Sequence, residues 1–206
     1  MTHPVVPVEP PAEDRAGTRA RIVDAALQLA EESSWEAVRL HRVAACSGIG
    51  LAEIGRHFRE KDELIDAWFD RADAALLALA AAPGMPSLPP RERLLRLTMA
   101  WLDALAPHRR VTREMILNKL EPGHLHIQLP AIMRISRTVQ WLREAALLDD
   151  HGVRRALAET ALTAIYLATF AYWLGDDTPD AAQTRHFLDR QLAVAERAAR
   201  ALPGFA

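Results

Sequence analysis

The chain has 206 residues, 50% of them hydrophobic and 25% charged, with a formal net charge of −2. That length suffices for one or two domains with a sizeable core, and the near-neutral balance excludes attraction to nucleic acid through overall charge. No apolar stretch approaches about 18 uninterrupted residues, which argues against a membrane span, and the single cysteine, Cys46, excludes an internal disulfide and fits a reducing cytoplasm.

The opening MTHPVVPVEPPAEDRAG carries four prolines and no basic start followed by an apolar run, so residues 1–16 read as a disordered Pro-rich tail, not a secretory signal. Alanine and leucine dominate and period-two alternation is absent, so the fold is expected to be all-α, with nine helices. The first spans Thr18 to Glu32, with Ile22, Ala26 and Leu29 as its inner stripe; ESSW breaks it. A second, short helix from Leu40 to Cys46 buries Leu40, Val43 and Ala44, and Cys46 is expected to be a small buried hydrophobe. SGIG makes a tight turn into a third short helix, Leu51 to His57. Gly55 lies inside that helix, where it costs about 1 kcal/mol against alanine. REKDEL opens a long fourth helix with the stripe Leu64, Trp68, Ala72, Ala75, Leu76 and Leu79, which APGMPSLPP ends.

A second block of helices follows. Arg91 to Leu105 is amphipathic through Leu94, Leu95, Met99, Trp101 and Leu102, and APH separates it from Val111 to Leu120. EPGHLHIQLP reads as a loop, and Pro130 as the start of a helix to Leu148 that carries Ile132, Ile135, Val139 and Leu142. Gly152 to Leu174 and Thr184 to Leu202 complete the set, with GDDTPDAA between them. No internal repeat is present.

Two short helices joined by a glycine-containing turn, with a supporting helix before them, form a helix-turn-helix signature. The stretch TRARIVDAALQLAEESSWEAVRLHRVAACSGIGLAEIGRHFREKDEL resembles the DNA-binding region of TetR-family regulators. Val43 and Ala44 stand at that family's I-A pair, Gly48 and Ile49 at G-V, Ile54 and Phe58 at its buried Leu and Phe, and Lys61 and Leu64 at K-x-x-L. The resemblance covers residues 18–70; beyond them only the layout is similar. It implies residues 17–62 as a helix-turn-helix domain and 63–206 as a helical ligand-binding and dimerisation domain. It further implies a cytoplasmic, ligand-responsive homodimeric regulator, a repressor, that sets two recognition helices into successive major grooves of a double-stranded operator. A small molecule would lower DNA affinity by binding two states differently.

The departures from the family fall on positions that would face DNA. Gly50 replaces the Ser that starts the recognition helix and Gly55 replaces a Tyr, so a cap and a phosphate-contacting hydroxyl are lost. Glu53 repels phosphate unless it accepts from a cytosine amino group. Arg56 and His57 remain for reading, supported by Arg39, His41 and Arg42, with apolar Leu51, the helix start at Gly50, and Lys61 on phosphate. Residues 15–62 hold eight Arg or Lys against seven Asp or Glu. These departures leave a second reading open, because the ubiquinone-biosynthesis accessory family has a TetR-like fold without DNA binding and holds a lipid or isoprenoid. HFREKDELIDAWFDRAD loosely resembles its short motif before a long helix.

An unknown apolar ligand is expected against Met99, Trp101, Met115 and Trp141, with Asn118, His124 and His126 as polar anchors. No third ligand accompanies the His124–His126 pair, so no metal is expected, and no cofactor. Leu188, Leu192, Ala195 and Ala199, with Ala164 and Ala168 on the preceding helix, are expected to form a four-helix dimer interface. With no Gly-rich phosphate loop, Cys/His cluster or G-x-S-x-G, the chain does not read as an enzyme.

Overall fold

A computed structural model describes residues 12–119, 125–149 and 151–201. Among them are nine α-helices: α1 (Ala12–Glu32), α2 (Leu40–Ser47), α3 (Leu51–His57), α4 (Asp62–Ala80), α5 (Pro90–Leu105), α6 (Arg109–Lys119), α7 (Leu125–Ala145), α8 (Gly152–Trp173) and α9 (Ala182–Ala201). The chain is all-α, and the chemistry of each boundary is local. Gly48, at φ 68°, ends α2 in the left-handed conformation that glycine adopts without a Cβ penalty. Asp62 and Glu63 place carboxylates in the first turn of α4, and Pro90 opens α5 where its missing N–H is no loss.

Two boundaries differ from the sequence expectation. α1 begins at Ala12 and not at Thr18, so residues 12–16, expected in the tail, are helical. The signal was present in the sequence: Pro11 stands just before these residues, and Asp14 suits the positive end of a helix dipole. α7 begins at Leu125, so Pro130 is inside it and does not start it. Residues 121–124 of the expected loop lie outside the described residues.

The chain divides into two compact units, Met1–Ala67 and Trp68–Ala206. In the first, Ile22, Val23, Ala26, Leu27 and Ala30 of α1 are buried with Trp35, Val38, Val43, Ile49, Ile54 and Phe58. Val43 is the buried residue of α2, and Cys46, expected in the core, is exposed, its thiol 3.9 Å from the Gln28 side-chain oxygen. An eight-residue helix has room to bury only a narrow stripe, and position 46 falls outside it.

The second unit is built on an aromatic core. Trp101 stacks on Phe69 at 5.7 Å and meets the edges of Tyr166 and Phe170 at 5.3 and 5.5 Å. Buried Asp73 ties this core together, accepting from Trp101 Nε1 at 2.8 Å, Thr138 Oγ1 at 3.0 Å and Arg134 Nη2 at 3.1 Å. Asp176 does the same for the turn between α8 and α9. Its carboxylate accepts from the hydroxyls and backbone N–H groups of both Thr178 and Thr184. Burial alone would raise its pKa, but these four donors hold the carboxyl well below the ordinary range.

Candidate nucleic-acid interface

The first unit presents α3 on a scaffold made by its neighbours. Ile54 and Phe58 bury one side of the helix, while Leu51, Ala52, Gly55 and Arg56 stand on the exposed side. The preceding turn is closed by the Ser47 hydroxyl, which accepts from Ile49 N–H at 3.2 Å. Gly50 caps α3 by backbone alone, its carbonyl accepting from Glu53 and Ile54 N–H. A Cβ at Gly50 or at Gly55 would meet nothing within 4 Å, so nothing in the protein's own packing demands either glycine.

Two arginines of α1 hold the ends of both short helices. Arg19 donates to the His57 carbonyl at 2.8 Å, with its guanidinium 4.3 Å from the Phe58 ring centroid, and Arg21 donates to the Ser47 carbonyl at 2.9 Å. These are the last carbonyls of α3 and α2, which lack helical partners and carry the negative end of each dipole. Sequence reasoning missed both residues. Their signal is weak, because an arginine close to another on an amphipathic helix usually marks a solvated face.

Of the residues expected to face DNA, Arg39, His41, Arg42, Gly50, Leu51 and Arg56 are exposed. Arg39 folds back on its own loop, donating to the Glu36 and Val38 carbonyls. His57 and Lys61 are placed differently. The His57 side chain is only 10% exposed and bonds through Nε2 to Glu53 Oε1 at 3.2 Å, while Arg56 Nη1 donates to Glu53 Oε2. The Lys61 ammonium lies against the Trp35 ring and donates to the carbonyls of Trp35 and Glu36. Burial, with the Arg39 charge nearby, lowers its pKa. Both side chains thus brace the head from within.

The residues expected around a ligand are not brought together. Met99, Trp101 and Met115 are packed in the core, Asn118 is half-buried, and Trp141 is 42% exposed. His124 lies outside the described residues, and of His126 only the backbone is described, in α7. An apolar cavity of about 480 Å³ lies among α5, α8 and α9, walled by Leu94, Leu157, Ala161, Ile165, Leu192 and Ala199; none of the expected ligand residues lines it. Of the expected dimer residues, Ala164 and Ala168 are exposed on α8. Ala195 and Ala199 are half-buried, and Leu188 and Leu192 are buried within the subunit. Among the described residues no three His, Cys, Asp or Glu are grouped to hold a metal ion, and no helix is long and apolar enough to cross a membrane.

Comparison with solved structures places this geometry among known proteins. A TetR transcriptional regulator from Nitrosomonas europaea ATCC 19718 is 52% identical, with a TM-score of 0.79 over 88% of this chain and 99% of that one. Regulators from Rhodococcus sp. RHA1 and Streptomyces coelicolor share the fold at 17% and 18% identity, with TM-scores of 0.66 and 0.64. They match 88% and 95% of this chain and 96% and 86% of their own. The COQ9 family model matches residues 155–199, which run from α8 through the connecting turn into α9. No curated protein matches the sequence.

Proposed function

The chain belongs to the TetR family of transcriptional regulators, and from that premise we propose that it is a homodimeric, ligand-responsive DNA-binding repressor. The observation that carries this reading is the construction of α3. Its inner side is locked by Ile54, Phe58 and the Arg19 tether, while on its outer side Ala52 and Gly55 stand exposed, with open space where a Gly55 side chain would be. A helix held this firmly with so little on its outer face is shaped for close approach to another surface, and the major groove admits an α-helix. Arg56 and Leu51 would meet base edges; Arg39, His41, Arg42 and the α3 start at Gly50 would meet the backbone.

The second copy would dock on the outward strip of α8 and α9. Ala164 and Ala168 permit close helix approach there, and Leu167, Tyr172 and Val194 add exposed apolar surface. Leu192, Ala195 and Ala199 line the apolar cavity instead, and Leu188 is buried within the subunit. A dimer would set two heads about one DNA turn apart, roughly 34–36 Å. An apolar effector bound by the second unit would lower DNA affinity only as far as it prefers one of two states. The accessory-protein reading is not favoured, because the COQ9 match stops at α8 and α9 and leaves the first unit unmatched.

Fluorescence anisotropy on duplex DNA from upstream of its own gene, at two salt concentrations, tests the reading. Nanomolar, salt-sensitive binding that Arg56→Ala weakens at least tenfold is expected. Binding without sequence preference, with a lipid retained in native mass spectrometry, would instead support the accessory-protein reading.

A further inference from the structure

Glu53 is the one residue of α3 whose charge opposes the proposed task, since a carboxylate on a helix facing a polyanion is repelled by it. Its surroundings give it a use. Its two oxygens each take one donor from the same helix, Arg56 Nη1 on Oε2 and His57 Nε2 on Oε1. A carboxylate has about four lone-pair positions, so two remain. The Glu53 side chain is 34% exposed, the Arg56 side chain 75% and that of His57 10%. His57 therefore fixes the carboxylate from the protein side, and Arg56 extends past it with most of its five N–H donors available. The outer end of α3 thus carries donors and an acceptor, side by side and mutually fixed.

That order matches one base pair. In the major groove a G·C pair displays two acceptors, guanine N7 and O6, followed by the cytosine N4 amino donor. An A·T pair alternates acceptor, donor and acceptor and ends in the thymine methyl. Resting on the DNA-binding reading above, we propose that Glu53 and Arg56 act as a single reading unit for a G·C pair, Arg56 donating to the guanine edge and Glu53 accepting from the cytosine amino group. On A·T the arginine donors would meet the adenine amino group, and the carboxylate would meet the thymine O4, acceptor against acceptor. Glu53 is thus a specificity-determining residue: it lowers affinity for DNA in general and restores it where the amino donor is in place.

Selection from a randomised duplex library with the full-length protein, Glu53→Ala and Glu53→Gln tests this. The wild type should enrich a motif with one fixed G·C pair in each half-site. Glu53→Ala should enrich the same motif with that position degenerate, losing about tenfold or more in discrimination there and binding unrelated DNA as tightly as the wild type or more so. Glu53→Gln, the same size with an added amide donor, should admit A·T at that position. If Glu53→Ala keeps every base preference, or weakens all sequences alike, the proposal is wrong while the regulator reading stands. If the wild type enriches no motif at all, the regulator reading fails and the proposal fails with it.

Discussion

Gly55→Ala separates what α3 needs to fold from what it needs to function. Gly55 is the fifth residue of a seven-residue helix, Leu51–His57, and is exposed. Its backbone lies outside the positive-φ region, and an added Cβ meets nothing within 4 Å. In that setting alanine lowers the conformational entropy of the unfolded chain and shields the helix backbone without any clash, a gain of about 0.5–1 kcal/mol. For a cooperatively unfolding chain of 206 residues that raises Tm by about 1–4 °C.

The effect on DNA binding should have the opposite sign. If the backbone at Gly55 rests against the base edges, a methyl group on the outer face pushes α3 back by about 1.5 Å, one carbon–carbon bond. Hydrogen bonds of roughly 2.9 Å would then stretch well past 3.5 Å and cease to count. Breaking one bidentate pairing with a base removes about 1–3 kcal/mol of discrimination, so specific binding should fall about tenfold or more while the protein becomes harder to melt. Thermal denaturation followed by circular dichroism gives the first sign and anisotropy on the operator gives the second. A variant that is stabilised and still binds the operator normally would refute the close-approach argument. One that is destabilised would refute the reading of the helix itself.

Two further outcomes rest on the second unit. Asp176→Asn removes a buried charged acceptor of four hydrogen bonds and should cost about 2–3 kcal/mol, or roughly 5–10 °C in Tm. Because the folded-state pKa of Asp176 is depressed, this stabilisation is complete above the unfolded carboxyl value of about 3.9 and is lost as pH falls toward the folded one. The gap between wild type and variant, measured in urea melts, should therefore be constant near neutrality and narrow below about pH 4; a gap that widens on acidification would contradict it. Ala168→Arg places a large cation in the strip of α8 proposed to meet the second copy, and sedimentation velocity should show half the mass at unchanged helix content. A dimer that survives this change, or a wild type that is monomeric at micromolar concentration, moves the interface elsewhere.

The parts of the fold that were legible in the sequence are those set by periodicity. Ile22, Ala26 and Leu29, then Ile54 and Phe58, then Leu64, Trp68 and Ala72, all sit inside as their spacing requires. Side-chain direction was less legible than position. His57 and Lys61 both occupy places on the head that invite a DNA role. A histidine four residues after a glutamate on one helix can bond to it, and a lysine at a helix start can reach the carbonyls of the preceding loop. Both alternatives were available within the chain and both were taken. Trp101 illustrates the same limit in the second unit. Helical spacing cannot tell a tryptophan that walls a cavity from one that stacks on Phe69 and donates to Asp73, because the partners come from other helices.

The directions taken by the basic side chains also set how the protein should respond to salt. Arg19, Arg21, Arg39 and Lys61 donate to backbone carbonyls within the first unit, and Arg56 is paired with Glu53. A guanidinium spread over a carbonyl keeps its charge but loses the reach needed to follow a phosphate. Exposed Arg42 and Arg59, with part of Arg39, are left to neutralise the backbone, about two to three phosphates per protomer. At roughly −0.9 per phosphate, a dimer should show a slope of log K against log salt between about −4 and −5. Arg42→Ala should make it shallower by about 2 in the dimer, one phosphate at each head, and weaken all sequences alike. A slope steeper than about −9 would mean that the carbonyl-bound arginines swing out on binding, and that the braced head is not the one that meets DNA. A slope of that size makes phosphate neutralisation a large and sequence-independent share of the affinity. On the DNA-binding reading, discrimination between sequences would then fall on the few groups α3 presents outward, so the carboxylate at position 53 and the missing side chain at position 55 would act on specificity.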